Sequence, residues 1–152
     1  METFFNNEQL NIKFRLDPTW FNNAPNIKVC VGEQILLDTQ LDTVLEYDHS
    51  IKLADDSDHQ LTFTLYNKTK YDTVVKDGVI EKDTVIKVSK IQIEDIDLTS
   101  ILSLNKELFY YEHDNNGSTE LEKHTFYDTL GCNGTATINF TTPFYVWLLE
   151  NL

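Results

Sequence analysis

Ten consecutive residues, Val44 to Leu53, alternate without interruption: Leu45, Tyr47, His49, Ile51 and Leu53 share one parity, and Glu46, Asp48, Ser50 and Lys52 the other. Only an extended chain, whose side chains point to opposite faces in turn, sorts such a period of two into a buried face and a wet face. A helix would scatter the same residues around its circumference. The pattern therefore fixes a half-buried strand, and it recurs along the chain.

Leu10, Ile12, Phe14 and Leu16 alternate with Asn11, Lys13, Arg15 and Asp17. Ile27, Val29 and Val31 lead into Gly32-Glu33, and Gln34 to Leu37 returns, the form of a β-hairpin. Leu61, Phe63 and Leu65 repeat the alternation within Gln60 to Asn67, and Ala136, Ile138 and Phe140 repeat it within Thr135 to Thr141, whose outer face is a Thr/Asn ladder. Between Val85 and Ile93 the parity switches from Ile86 and Val88 to Ile91 and Ile93, which predicts a bulge near Ser89-Lys90 or burial on both sides.

Leu108 to Tyr111 and His124 to Tyr127 read as a strand and its return around the turn-rich HDNNGSTE. Residues 98–107, LTSILSLNKE, fit a short helical turn or a crossing loop equally. Pro18, Pro25, Asn22 and Asn23 make a connection after the first strand, and Trp20 and Phe21 are placed to cover one end of a core. Near the end, Thr142-Pro143 has the form of a helix N-cap followed by proline in the first turn, opening FYVWLLENL. On that segment Phe144, Trp147 and Leu148 share one side, and Tyr145 and Leu149 another.

Eight or more short strands with turn signals between them, and almost no helix, predict an all-β protein. The expected fold is an antiparallel β-sandwich of jelly-roll type, with a short C-terminal helical segment and one domain over residues 1–152. A closed barrel is the alternative.

Charge narrows the functions. Twelve Lys and Arg against 25 Asp and Glu leave a net charge of -13, a field that repels a phosphate backbone, so nucleic acid is not an expected partner. The same field suits solubility, basic surfaces or divalent cations. METFFNNEQLN has neither the basic nor the apolar segment of an export signal, and no apolar run has the length to cross a bilayer, so neither secretion nor a membrane partner is expected. Cys30 and Cys132 lie far apart in sequence and read as reduced thiols, which fits a reducing cytoplasm.

No nucleophile with its base is spaced as a catalytic motif, and the four histidines form no HxH or HExxH pattern, so no enzymatic activity is expected. Two features carry binding chemistry. Calcium takes six to eight oxygens from flexible loops, and Asp72, Asp77, Glu81 and Asp83 gather oxygens in the loop between two strands, with Asp55, Asp56 and Asp58 as a second cluster. The competing reading is solvated loops of an acidic protein. Tyr66, Asn67 and Tyr71 flank that loop, and tyrosine faces are platforms for sugars as well as for protein partners. The apolar Phe144, Tyr145, Trp147 and Leu148 either dock on a partner, a second copy included, or pack on their own sandwich.

The run from IKVCVGEQILLD through SIKLADDSDHQLTFTLYNKT to DTVIKVSKIQIEDIDL resembles the core of small β-sandwich carbohydrate-binding modules that bind xylan through calcium. The matching pieces are His59 to Asn67 and Val85 to Leu98. That likeness implies a glycan partner and a calcium ligand after the strand-ending Asn67, where this chain has Lys68. The whole chain, with its close LGCNGTATINFTTPFYVWLLENL, resembles uncharacterised small proteins of marine tailed phages, cyanophages among them. This second likeness implies a virion component, a capsid decoration or tail-associated protein. Such a protein folds in the host cytoplasm and then docks onto other structural proteins of the particle.

Overall fold

The computed structural model describes residues 7–104, 107–115 and 120–152. The first half of the chain forms β1 (Asn7–Thr19), β2 (Asn26–Val31), β3 (Gln34–Gln40), β4 (Leu45–Ala54), β5 (Asp58–Tyr66), β6 (Thr73–Lys76) and β7 (Val79–Asp83). There follow β8 (Val85–Ile93), β9 (Ile96–Asp97), α1 (Thr99–Leu104), β10 (Phe109–His113), β11 (Glu122–Thr125), β12 (Thr129–Leu130), β13 (Gly134–Thr141) and α2 (Phe144–Glu150). One sheet has the order β12-β8-β1-β4 with β9 beside β8, and the other the order β11-β10-β13-β5-β2-β3. All pairings are antiparallel, and the chain crosses between sheets repeatedly, giving the expected jelly-roll-like sandwich.

The sheets face each other through the parity read from the sequence. Ile12, Phe14 and Leu16 of β1 and Leu61, Phe63 and Leu65 of β5 are all buried in one continuous apolar cluster. Phe14 lies edge-on to Phe63, with ring centroids 5.1 Å apart, and stacks on Tyr47 at 4.7 Å. Each such side chain, once removed from water, contributes about 1.5–3 kcal/mol, which is why alternation dictates the register. On the outer face of β13 the polar ladder forms: the Thr135 and Thr64 hydroxyls are 2.9 Å apart, and Gln60 donates to Asn139 at 3.0 Å.

The parity switch in β8 is a bulge. Lys13 lies opposite Gln92 but Arg15 opposite Ser89, so β8 carries one extra residue, and Lys90 adopts φ +52°. Ile86, Val88, Ile91 and Ile93 therefore all reach the core.

Residues 99–104 form the helix rather than a crossing loop. The Asp97 carboxylate accepts from the Thr99 amide at 2.8 Å, and Leu98, Ile101 and Leu102 turn inward. Residues 105 and 106 of the ambiguous segment, and 116–119 of the HDNNGSTE turn, lie outside the described residues, as does the start of METFFNNEQLN.

The return strand spans Glu122–Thr125, two residues earlier than the sequence implies; Phe126 turns into the core with its ring tilted against that of Phe109 at 4.7 Å, and its amide donates to the Phe109 carbonyl at 3.1 Å.

Thr142 does not cap α2. Its hydroxyl donates to the Ala54 carbonyl at 2.7 Å, Pro143 occupies the cap position without a side-chain cap bond, and the Phe144 amide donates instead to Glu8.

Candidate functional site

The two ends of the sandwich are chemically distinct, and each leaves apolar side chains in water. At one end β4 turns into β5 through 55–57, and α2 lies beside that turn. The Ser57 amide donates to the Thr142 hydroxyl at 3.3 Å, and the Thr142 amide to the Ser57 carbonyl at 3.0 Å. Among the residues expected to dock on a partner, Phe144 and Trp147 are buried against their own sandwich, with Trp147 edge-on to Phe140 at 6.3 Å. Leu148 is half-buried against the core. Tyr145 is left outside, and with it Val146, Leu149 (72% exposed) and Leu152. The segment thus buries one stripe against its own sandwich and leaves another exposed. Around it lie Glu8, Asp55, Asp56, Asp58 and Glu150.

At the opposite end the 67–84 segment is not the polar loop the sequence suggested. A short 3-10 turn, Lys70–Asp72, leads into the β6–β7 hairpin, which forms a two-stranded sheet of its own. Its turn is Asp77-Gly78, both with positive φ (+54° and +76°), as a two-residue hairpin loop of right-handed twist requires. The signal was present in the sequence as Asp-Gly between Val-rich flanks. Val75 pairs with Ile80 across the hairpin, and both are exposed, as is Val79 at 66%. A two-stranded ribbon in water is marginal by itself. This one is anchored at its base.

That anchor is Asp83. One carboxylate oxygen accepts from the Lys68 ammonium at 2.8 Å, the Thr73 hydroxyl at 2.7 Å and the Thr84 amide at 2.9 Å. Burial pushes the Asp83 carboxyl up, but the bonds from Lys68, Thr73 and Thr84 outweigh it and hold the group below the ordinary carboxylate range. Lys68 also donates to the Gly131 carbonyl at 2.5 Å. Asn133 completes the clasp, its side chain accepting from the Lys68 amide and donating to the Lys68 carbonyl, each at 2.8 Å.

The four carboxylates proposed for calcium are thus engaged separately. Asp72 caps the 3-10 turn through the Thr69 amide at 2.8 Å, Asp83 holds Lys68, Glu81 faces Lys76 at 3.8 Å, and Asp77 sits at the hairpin turn. Among the described residues no three His, Cys, Asp or Glu side chains gather where they could hold a metal ion. The other oxygen of Asp72 and the Thr84 hydroxyl have no protein partner, and both residues line a cavity of about 200 Å³ that Tyr66 and Asn67 also border. Polar atoms in a space of that size suit ordered water.

Tyr66 donates to Asp38 at 2.6 Å, Asn67 takes a turn conformation at φ +61°, and Tyr71 is 72% exposed with the Lys70 ammonium 5.2 Å from its ring centroid. Tyr71 borders neither that cavity nor the cleft of about 520 Å³ between Lys68–Val75 and Gly131–Asn133.

Cys30 and Cys132 are not bridged. Tyr111 is buried beneath the 131–133 turn. Its hydroxyl donates to the Cys132 carbonyl and accepts from the Cys132 amide at 3.1 Å, and burial pushes the phenol far above its ordinary range. Beside Tyr111, on the same face, stand His113 and His124.

Among the described residues no helix is long and apolar enough to cross a membrane. No family model, curated protein or solved structure matches the chain.

Proposed function

We propose that this chain is a non-catalytic structural protein of a virus particle, a capsid decoration or tail-associated subunit, that works by protein–protein docking. The observation that carries this reading is the pair of exposed apolar patches on opposite ends of one rigid sandwich. Tyr145, Val146, Leu149 and Leu152 form one patch, and Val75, Val79 and Ile80 the other. Strand β5 runs from one end to the other, roughly 30 Å at the usual rise per residue. Exposed apolar side chains rimmed by charge are the mark of a docking surface.

The two ends also differ in charge. At the hairpin end Lys68, Lys70, Lys76 and Lys82 balance Asp72, Asp77, Glu81 and Asp83, whereas the α2 end carries Glu8, Asp55, Asp56, Asp58 and Glu150. Two acidic α2 ends repel each other, whereas the charge-balanced, lysine-bearing hairpin end of a second copy does not repel an α2 end. Contact between unlike surfaces is head-to-tail, the geometry of rings and fibres rather than of a two-fold dimer. At physiological ionic strength charges beyond about 8 Å are screened, so the net charge of -13 on each chain does not forbid such contact. The likeness of the chain to small proteins of marine tailed phages agrees with an assembling subunit.

Sedimentation velocity over a range of concentrations tests the reading. Self-association that Leu149→Asp abolishes supports it. A monomer at every concentration that binds an oligosaccharide near Tyr71, with or without calcium, would favour a carbohydrate-binding module instead.

A further inference from the structure

His113 and His124 lie on adjacent strands, β10 and β11, offset by two residues and so on one face, since His124 pairs with Tyr111 and His113 with Glu122. Their Nε2 atoms face each other at 2.8 Å. Each ring's other nitrogen is already directed to a backbone carbonyl: His113 Nδ1 to that of Asp114, and His124 Nδ1 to that of Thr125 at 2.8 Å. A carbonyl only accepts, so both Nδ1 atoms carry hydrogen. In two neutral rings both Nε2 atoms are then bare lone pairs, and bare lone pairs do not face each other at 2.8 Å unless a positive charge lies between them or beside them.

We propose that this pair is a binding site for a divalent late first-row metal ion of tetragonal preference, Cu²⁺ or Ni²⁺, with the two Nε2 atoms as its protein ligands and water completing the shell. Metal–nitrogen bonds of about 2.0 Å to atoms 2.8 Å apart subtend about 90°. That is the angle between adjacent ligands of a square or octahedral ion. A tetrahedral zinc ion would require the nitrogens to move apart by about 0.5 Å.

The outer contacts suit the role. Metal-bound imidazoles characteristically donate their second N–H to a backbone carbonyl or a carboxylate, which fixes the tautomer and aims the lone pair. Both rings are arranged so. His113 is buried, but His124 is exposed on β11, the edge strand of its sheet, so the pair is reached from solvent on that side. The surplus of acidic groups over the whole chain favours a cation. The assignment is independent of the docking reading, because it involves neither α2 nor the hairpin.

Isothermal titration of the untagged full chain with NiCl₂ at pH 7.5 tests it. One ion bound per chain is expected. His124→Gln should weaken binding at least about tenfold, with the far-ultraviolet spectrum unchanged, while His49→Gln leaves binding intact. His113→Gln should do the same where it folds. A second readout needs no variant: paramagnetic Ni²⁺ should broaden the ring resonances of Tyr111, whose centroid lies 4.6 Å from that of His113 and 5.8 Å from that of His124. Absence of binding, which would leave a shared proton as the only charge between the rings, overturns the proposal. Equal affinity in the His124→Gln chain, or broadening confined to other residues, overturns it as well.

Discussion

The carboxylate of Glu8, the second residue of β1, accepts a hydrogen bond from the amide of Phe144 at the start of α2, 3.0 Å from Oε2 and 3.3 Å from Oε1. Strand β1 and helix α2 thereby meet at one end of the sandwich. The bond supplies what Pro143 lacks, an acceptor for an orphan helix amide, and it places negative charge at the positive end of the helix. Glu8→Ala should therefore cost about 1 kcal/mol in urea denaturation. If α2 owes its place to Phe144 and Trp147 alone, the substitution will leave the midpoint unchanged.

Asp83 anchors the hairpin. Asp83→Ala should destabilise by about 2–3 kcal/mol, because it strands the nearly buried Lys68 ammonium with only the Gly131 carbonyl; the figure sits below the fully buried range because Asp83 keeps some contact with water. The carboxyl titrates lower in the folded chain than in the unfolded one. Its contribution is thus complete above the unfolded carboxyl range and is lost as pH falls through the lowered folded value. Acid titration of stability should accordingly be shallower in Asp83→Ala than in the wild type, and parallel curves would contradict the assignment.

Gly134 is irreplaceable for want of space. A Cβ there would lie 2.3 Å from the Glu112 carbonyl oxygen and 2.5 Å from the His113 Cα, both backbone atoms of β10. Gly134→Ala must part β10 from β13, at a cost of about 3 kcal/mol or more. A thermal midpoint within two or three degrees of the wild type, roughly 1 kcal/mol for a domain of this size, would show that the strands separate freely.

Tyr111→Phe removes both halves of an exchange with one residue, the bond its hydroxyl accepts from the Cys132 amide and the bond it donates to the Cys132 carbonyl, in the turn above the core. A loss of about 1–3 kcal/mol is expected, together with faster hydrogen exchange at Cys132.

The sandwich was readable because its strands bury one face each. Leu10 to Leu16, Ile27 to Val31 and Leu61 to Leu65 have no other way to hide alternate side chains, and even the Lys90 bulge was written as a change of parity. The ends were harder, because their geometry depends on contacts distant in sequence. Thr142 has the composition of an N-cap, yet its hydroxyl oxygen accepts from the Ser57 amide and donates to the Ala54 carbonyl rather than accepting from the amides of the helix. The acidic 72–83 stretch reads as a loop by composition, although Asp77-Gly78 between β-branched residues carries the hairpin signal. Phe144 and Trp147 look like docking residues until the sandwich that covers them is known, and only then do Tyr145 and Leu149 stand out as the uncovered face. Nothing local announces that His113 and His124 meet, since the register of β10 on β11 brings them together.

The most direct test of assembly through unlike ends is a mixing experiment followed by light scattering. Leu149→Asp disables the α2 end and Ile80→Asp the hairpin end, each at an exposed side chain. Each variant alone should be a folded monomer under conditions where the wild type associates. Mixed in equal amounts, they should form a one-to-one dimer, because one intact α2 end still meets one intact hairpin end, and growth stops there. A mixture that remains monomeric while the wild type associates would contradict head-to-tail docking, as would association that either variant retains alone.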